Sequence, residues 1–82
     1  MKNSVEVVIS NPQGLHLRPA SEFVQCACKY DSAIQIEKDG EFVEGKSIMS
    51  LMMLAATQGT SLIIHAEGAD SQDALDALSI LL

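Results

Sequence analysis

Hydrophobic and polar positions alternate in four separate stretches, and each stretch predicts a short β-strand. The predicted strands lie at residues 4–10, 33–37, 41–44 and 60–66. In the first, Val5, Val7 and Ile9 recur at every second residue, as expected of a strand with one buried face. Asp39-Gly40 separates the second and third strands, and both central residues of a type I′ turn need a positive φ. These two strands are therefore predicted to form a hairpin.

Apolar residues at helical spacing predict three helices, at residues 16 to about 29, 45–56 and 70–82. The buried face of the first is predicted to consist of Ala20, Phe23, Val24 and Ala27. The buried face of the third is predicted to consist of Ala74, Leu75, Leu78 and Leu82. Ser47 is the expected N-cap of the second helix, and Asp70 or Ser71 that of the third.

The order β-α-β-β-α-β-α predicts one α+β domain spanning residues 1–82. Helices with a single apolar face need a sheet to cover, so we expect two layers, an antiparallel sheet with the helices on one side. The other side of the sheet is predicted to meet water, with Glu6, Gln35 and His65 at outward positions.

Composition and charge narrow the classes of partner. The 82 residues carry a formal net charge of −6, and their 5 basic residues are scattered along the chain. Nucleic-acid binding needs clustered cations, so proteins or small molecules are the expected partners. No apolar run is long enough for a transmembrane helix, so no membrane insertion is expected. The chain begins with strand-like alternation instead of a signal peptide, which predicts a cytoplasmic location.

The cysteines give little indication of a metal site or a disulfide. Cys26 and Cys28 would point about 200° apart on a helix, so they cannot bridge each other. A Cys-x-Cys pair without a second cluster is also a weak metal signal. We expect two ordinary helix residues, no metal and no cofactor.

The segment GLHLRPA, residues 14–20, places a histidine, the only arginine and a proline at the predicted start of the first helix. Proline is tolerated in the first turn, so Pro19 puts the helix N-terminus at or just before Leu17 and His16 at the cap. Unpaired amides at a helix N-terminus favour an anion. Arg18 adds a planar cation suited to phosphate oxygens.

This arrangement predicts that His16 accepts a phosphoryl group, with Gly14 allowing the backbone to approach it closely. The sequence has no P-loop, no metal-ligand cluster and no second histidine nearby. The expected protein is therefore a carrier loaded and unloaded by other enzymes, and not itself an enzyme. The alternative interpretation is that His16 merely caps the helix while Arg18 is solvated.

The second helix is apolar on most of its circumference. Its buried face is predicted to consist of Ile48, Leu51, Met52 and Ala55. Met49 and Met53 then point elsewhere, with Leu54 beside them, and an uncovered apolar surface of this kind favours docking to partners. Burial of both methionines by loops or neighbouring helices is the alternative. Phosphate on Ser47 would place a dianion beside this surface, where the helix end tolerates negative charge.

Four segments, GLHLRPASEFV, GKSIMSLMML, QGTSLIIHAEGAD and DALDAL, together resemble the HPr family, the histidine-containing phosphocarriers of the bacterial phosphotransferase system. The resemblance covers essentially the whole chain. It implies an open-faced β-sandwich of sheet order 1-4-2-3. It also implies that His16 takes phosphate from phosphoenolpyruvate through enzyme I and passes it to enzyme IIA, as a monomer in sugar uptake.

The resemblance assigns roles by position. His16 corresponds to the phosphoacceptor, reacting through Nδ1, and Arg18 to its phosphate-steadying neighbour, with Gly14 and Leu17 at the phosphate-cradling loop and helix start. Ser47 matches the serine that HPr kinase/phosphorylase modifies in many members. The expected docking residues are Leu17, Ile48, Met49, Leu51, Met52 and Met53.

Three features depart from the family pattern. Leu17 stands where a small residue is usual, and Met53 and Ala55 replace small glycine-type residues. The last helix also stops several residues early. These departures leave open a regulatory-branch relative, such as a nitrogen-related carrier, that acts mainly through protein contacts.

Overall fold

The computed structural model describes residues 1–82 and has the predicted element order. The strands are β1 Lys2–Val8, β2 Ala33–Lys38, β3 Glu41–Glu44 and β4 Ser61–Glu67. The helices are α1 Leu17–Ala27, α2 Ile48–Met53 and α3 Ser71–Leu78. No helix combines the length and the apolar character needed to cross a membrane.

The four strands form one antiparallel sheet of order β1-β4-β2-β3. Central strand β4 pairs with β1 along its whole length, from Lys2 opposite Glu67 to Val8 opposite Ser61. At the β2–β3 turn Asp39 has φ 51° and Gly40 has φ 85°, so the predicted pair of positive φ angles is confirmed. The predicted two-layer α+β architecture and the 1-4-2-3 order are confirmed as well.

The core lies between the sheet and the helices. The sheet contributes alternate residues, including Ile34, Ile36, Leu62 and Ile64, all without exposed surface. The helices cover them with Ala20, Phe23, Ala27, Leu51, Ala74, Leu75 and Leu78. Since the strands offer one face to this core, their intervening residues form an open face on the other side.

The open face carries the predicted outward residues, and His65 has partners of its own there. Glu6 and Gln35 are exposed. His65 Nε2 lies 2.8 Å from Glu37 Oε1, and its ring centroid lies 5.3 Å from that of Phe42. Because β4 points His65 away from the helical layer, this histidine is separate from the start of α1.

The boundaries of β1 and of all three helices differ from the predictions by two residues or more, and α2 spans Ile48–Met53 instead of 45–56. Strand β1 runs from residue 2 to 8 instead of 4 to 10, because its pairing with β4 sets where it begins and ends. Helix α1 ends at Ala27, two residues before the predicted end, and α3 ends at Leu78 instead of continuing to residue 82. Leu82 therefore lies outside the α3 stripe, although it still packs partly buried against the core, as does Val24.

Candidate functional site

The loop that precedes α1 is built around Gly14. Its N–H donates to the Asn11 carbonyl at 2.8 Å and closes a turn, and its φ is +72°. A Cβ at this position would lie 2.5 Å from the Ala56 carbonyl oxygen. The next amide, that of Leu15, donates to the same oxygen at 2.8 Å. Glycine is therefore required both for the backbone angle and for the close approach to residue 56.

His16 is the N-cap of α1, as the proline position predicts. Its backbone is extended, with φ −109° and ψ −175°, and its carbonyl accepts the Ala20 N–H at 3.0 Å. The imidazole makes no capping hydrogen bond and is half-exposed. The alternative interpretation, in which His16 merely caps the helix while Arg18 is solvated, is met in part: Arg18 is exposed, but the ring satisfies no amide of the helix.

The first turn of α1 offers amide hydrogens to an anion. The N–H groups of Leu17 and Arg18 have no intrahelical acceptor, as for the first residues of any α-helix, and Pro19 has no N–H to offer. No acidic residue lies in this turn. The partial positive charge at the helix N-terminus is therefore uncompensated by a neighbouring carboxylate.

Leu17 and Arg18 follow His16 at the start of α1. Arg18 is exposed, and the one ion pair of the structure lies elsewhere, between His65 and Glu37. Leu17 keeps 63% of its surface exposed. The site thus combines a ring nitrogen, two free amides and an unpaired cation, a combination suited to holding a phosphoryl group.

Asn11 belongs to this site, although the sequence indicated only a turn at residues 11–14. Its Oδ1 accepts the Gln13 N–H at 2.9 Å, and its Nδ2 lies 3.5 Å from His16 Nε2. Asparagine before a turn commonly accepts a backbone N–H two residues further on, so the sequence NPQG held a signal for the first contact. Nothing in the sequence indicated the second contact, in which the side-chain nitrogen Nδ2 faces the histidine.

Helix α2 presents a surface that we call the methionine surface, made of Met49, Met52 and Met53. Their exposed fractions are 77%, 39% and 79%. The outward orientation predicted for Met49 and Met53 is confirmed. Helix α2 packs beside α1, so this surface belongs to the same layer of the molecule as the start of α1.

The predicted buried face of α2 was partly wrong. Leu51 and Leu54 are buried, with 0% and 3% exposed, whereas Met52 and Ala55 are exposed. Leu54 was expected beside the outward methionines, and it instead faces the core. Leu51 cannot contact a partner directly, so its place among the docking residues is corrected to a supporting one beneath the surface. Ile48 is half-buried.

Ser47 caps α2, as predicted. Its side-chain oxygen accepts the Ser50 N–H at 3.2 Å, and the residue is half-buried. A negative charge on this hydroxyl would lie at a helix N-terminus, where it is tolerated.

No three His, Cys, Asp or Glu side chains lie close enough together to hold a metal ion. Cys26 and Cys28 are free thiols, the first half-buried and the second exposed.

Comparison with known proteins decides the family. Residues 3–82 match the family described as "PTS HPr component phosphorylation site". The chain belongs to the HPr family. Among its curated HPr relatives, the phosphocarrier protein of Neisseria meningitidis serogroup A is 42% identical over 82 residues, which is 100% of this chain and 90% of that protein.

Solved HPr structures share the fold. A phosphocarrier protein HPr from Bacillus anthracis superposes with a TM-score of 0.92 at 42% identity, covering 99% of this chain and 96% of that one. The Bacillus subtilis catabolite repression protein Crh superposes with a TM-score of 0.79 at 44% identity, covering 92% and 86%. That Crh structure is a domain-swapped dimer.

Proposed function

We propose that the protein is a phosphocarrier in which His16 takes a phosphoryl group from phosphoenolpyruvate-charged enzyme I and passes it to enzyme IIA domains in sugar uptake. The observation that carries this proposal is the half-exposed imidazole at the N-cap of α1, beside the unpaired amides of Leu17 and Arg18. Such a carrier works in the cytoplasm, where both partner enzymes act, and needs no metal or cofactor of its own.

In the transfer step, Nδ1 of His16 is the nucleophile. The ring attacks as the tautomer protonated at Nε2, in which the Nδ1 lone pair is free. This lone pair forms the P–N bond while the bond between phosphorus and its leaving group on enzyme I breaks, and the Nε2 proton then passes to solvent. The N–H groups of Leu17 and Arg18 donate to the phosphoryl oxygens, and the Arg18 guanidinium offsets their charge. Asn11 Nδ2 lies 3.5 Å from Nε2, so Nδ1 is the ring nitrogen with no side-chain partner.

The methionine surface, together with exposed Leu17, is the proposed docking site for both partner enzymes. Methionine side chains adapt to different surfaces, which suits a carrier that meets a donor and an acceptor in turn. Ser47, at the start of the same helix, is the proposed target of HPr kinase/phosphorylase. We propose a monomer in solution, in which all four strands of the sheet pair within one chain.

The test is incubation with enzyme I and labelled phosphoenolpyruvate. Acid-labile, base-stable label is expected on the wild type and absent from His16→Ala. The matched control is His65→Gln, which changes the other histidine, on the open face of the sheet, and should be labelled like the wild type. Label that persists in His16→Ala would refute the assignment of His16.

A regulatory protein that acts through contacts of the methionine surface is the second candidate function. It is favoured by the similarity to Crh, described as a catabolite repression protein. The same incubation separates the two candidates. A protein that takes no label from enzyme I, yet binds its partners equally well with or without His16→Ala, is a regulator.

A further inference from the structure

Asn11 is the one side chain within hydrogen-bond distance of the His16 imidazole, and its orientation is fixed from the other end. Its Oδ1 accepts the Gln13 N–H at 2.9 Å, while its own carbonyl accepts the Gly14 N–H at 2.8 Å. An amide oxygen engaged in this way leaves the NH₂ group pointing the other way. Asn11 Nδ2 accordingly faces His16 Nε2 at 3.5 Å.

An amide NH₂ can donate and cannot accept, so the contact defines what Nε2 does. A neutral imidazole has one donor and one acceptor nitrogen, and the partner of one nitrogen selects the tautomer. Facing a donor, Nε2 is the acceptor and Nδ1 carries the proton in the resting ring, so the contact with Asn11 opens before Nδ1 attacks and forms again once Nε2 has lost its proton. The separation is long for a hydrogen bond, but contacts of this kind often tighten once the reacting group is bound.

We infer that Asn11 is a positioning residue that keeps Nε2 of phosphorylated His16 unprotonated and so prolongs the life of the phosphoryl group on Nδ1. This inference rests on the proposed phosphocarrier function.

The chemistry follows from how phosphohistidine hydrolyses. Water attacks phosphorus, the P–N bond breaks, and the ring leaves as a neutral imidazole only when Nε2 has taken up a proton. The products are inorganic phosphate and unmodified His16. While Asn11 donates to Nε2, the lone pair that must receive this proton is occupied. Hydrolysis therefore requires the hydrogen bond between Asn11 and the ring to break first.

The first test measures the tautomer of the unphosphorylated protein by ¹⁵N NMR of the His16 ring, in alkaline solution where imidazoles are neutral. In the wild type, Nε2 is expected to have the shift of an acceptor nitrogen. Asn11→Asp keeps an oxygen for the Gln13 N–H but presents a second oxygen to the ring, so Nε2 should become the protonated nitrogen.

Asn11→Ser is the matched neutral variant. Its hydroxyl can still accept the Gln13 N–H, since serine forms the same local turn, but it is too short to reach the ring. Protection of the Gln13 amide from hydrogen exchange verifies that the turn persists. The tautomer ratio should move away from that of the wild type. An unchanged ratio in both variants would overturn the inference, and no phosphorylation is needed to observe it.

The second test follows loss of label from the phosphorylated, purified proteins. Removing one neutral hydrogen bond should speed first-order hydrolysis about fivefold in Asn11→Ser, and further in Asn11→Asp. Equal half-lives in all three proteins would refute a role of Asn11 in retaining the phosphoryl group on His16. Failure of the wild type to take any label would instead refute the phosphocarrier proposal, while the NMR result on Asn11 would still stand.

Discussion

At the scale of single residues, Gly14 controls where His16 lies. Two conditions meet at this residue, a φ of +72° and a backbone contact with residues 56 and 57. A Cβ would lie 2.5 Å from the Ala56 oxygen and 3.0 Å from Thr57 Cα. Both atoms belong to the backbone, so neither can rotate out of the way as the end of a side chain could. Any other residue must displace the loop that leads to His16.

We therefore expect Gly14→Ala to destabilise the protein and to slow phosphorylation of His16. Gly40→Ala is the matched control, because Gly40 also has a positive φ, 85°, and a Cβ added there would have no neighbouring atom within 4 Å. Urea denaturation should show a loss of about 1 kcal/mol for the control, which is the backbone cost alone. The overlap at residue 14 should add a further loss of about 1–3 kcal/mol, on the order of other overpacked sites.

Equal losses for the two variants would contradict this account of the contact between Gly14 and residue 56. Unchanged phosphorylation of a folded Gly14→Ala protein would show that the loop does not position His16.

At the scale of elements, α2 shows what the sequence pattern could and could not predict. The cap at Ser47 and the outward Met49 and Met53 followed from local signals. The position of Ala55 did not. This residue has φ 50°, so the chain has left the helix and helical spacing no longer applies to it. In a helix of only six residues, packing against the rest of the molecule decides which side is buried. Leu54 faces the core there and Met52 does not.

The double role proposed for Ser47 gives a prediction about its variants. Asp is as good an N-cap as Ser, so Ser47→Asp should melt close to the wild-type temperature, while Ser47→Ala should lose about 1 kcal/mol of stability. Only the aspartate adds negative charge beside the methionine surface. We therefore expect enzyme I to phosphorylate His16 more slowly in Ser47→Asp and at the normal rate in Ser47→Ala.

Phosphorylation kinetics over a range of enzyme I concentrations, with melting curves for all three proteins, check this prediction. A Ser47→Asp protein that is phosphorylated as fast as the wild type would remove the basis for regulation at this residue.

At the scale of the whole molecule, the sequence predicted the element order, the hairpin turn and the helix start at Leu17, because each depends on local chemistry. What it missed depends on contacts between distant segments. The ends of β1 follow from its pairing with β4, and the place of Leu82 from the early end of α3 at Leu78. The contact between Asn11 and His16 likewise depends on how the loop is folded.

Asp70 joins two distant segments and makes part of the stability of the fold sensitive to acid. Its carboxylate accepts the Ser32 hydroxyl, the Asp31 N–H at 2.9 Å and the Ser32 N–H at 3.0 Å. These bonds, above all that from the Ser32 hydroxyl, lower the pKa of Asp70 below its usual value of 3.8. A pKa lowered in the folded state stabilises the protein above pH 3.8, and this contribution is lost as the pH falls through the folded value.

Asp70→Asn should therefore reduce stability most at neutral pH, and the difference from the wild type should shrink as the pH falls below 3.8. Urea denaturation at neutral pH and at about pH 3 measures both differences. Asp73→Asn, an exposed acidic residue in the first turn of the same helix, is the control and should show a smaller loss. A pH-independent loss in Asp70→Asn would mean that the lowered pKa does not contribute.

The bond from the Leu15 amide to the Ala56 carbonyl also has a practical consequence for mutagenesis. This hydrogen bond joins the loop before His16 to the segment that follows Met53. A substitution at the end of α2 can therefore displace the imidazole without contacting it. Slow phosphorylation of a variant of the methionine surface therefore has two explanations, a lower affinity for the partner enzyme or a displaced His16. The chemical shift of the Leu15 amide separates the two, and it belongs in the characterisation of every such variant.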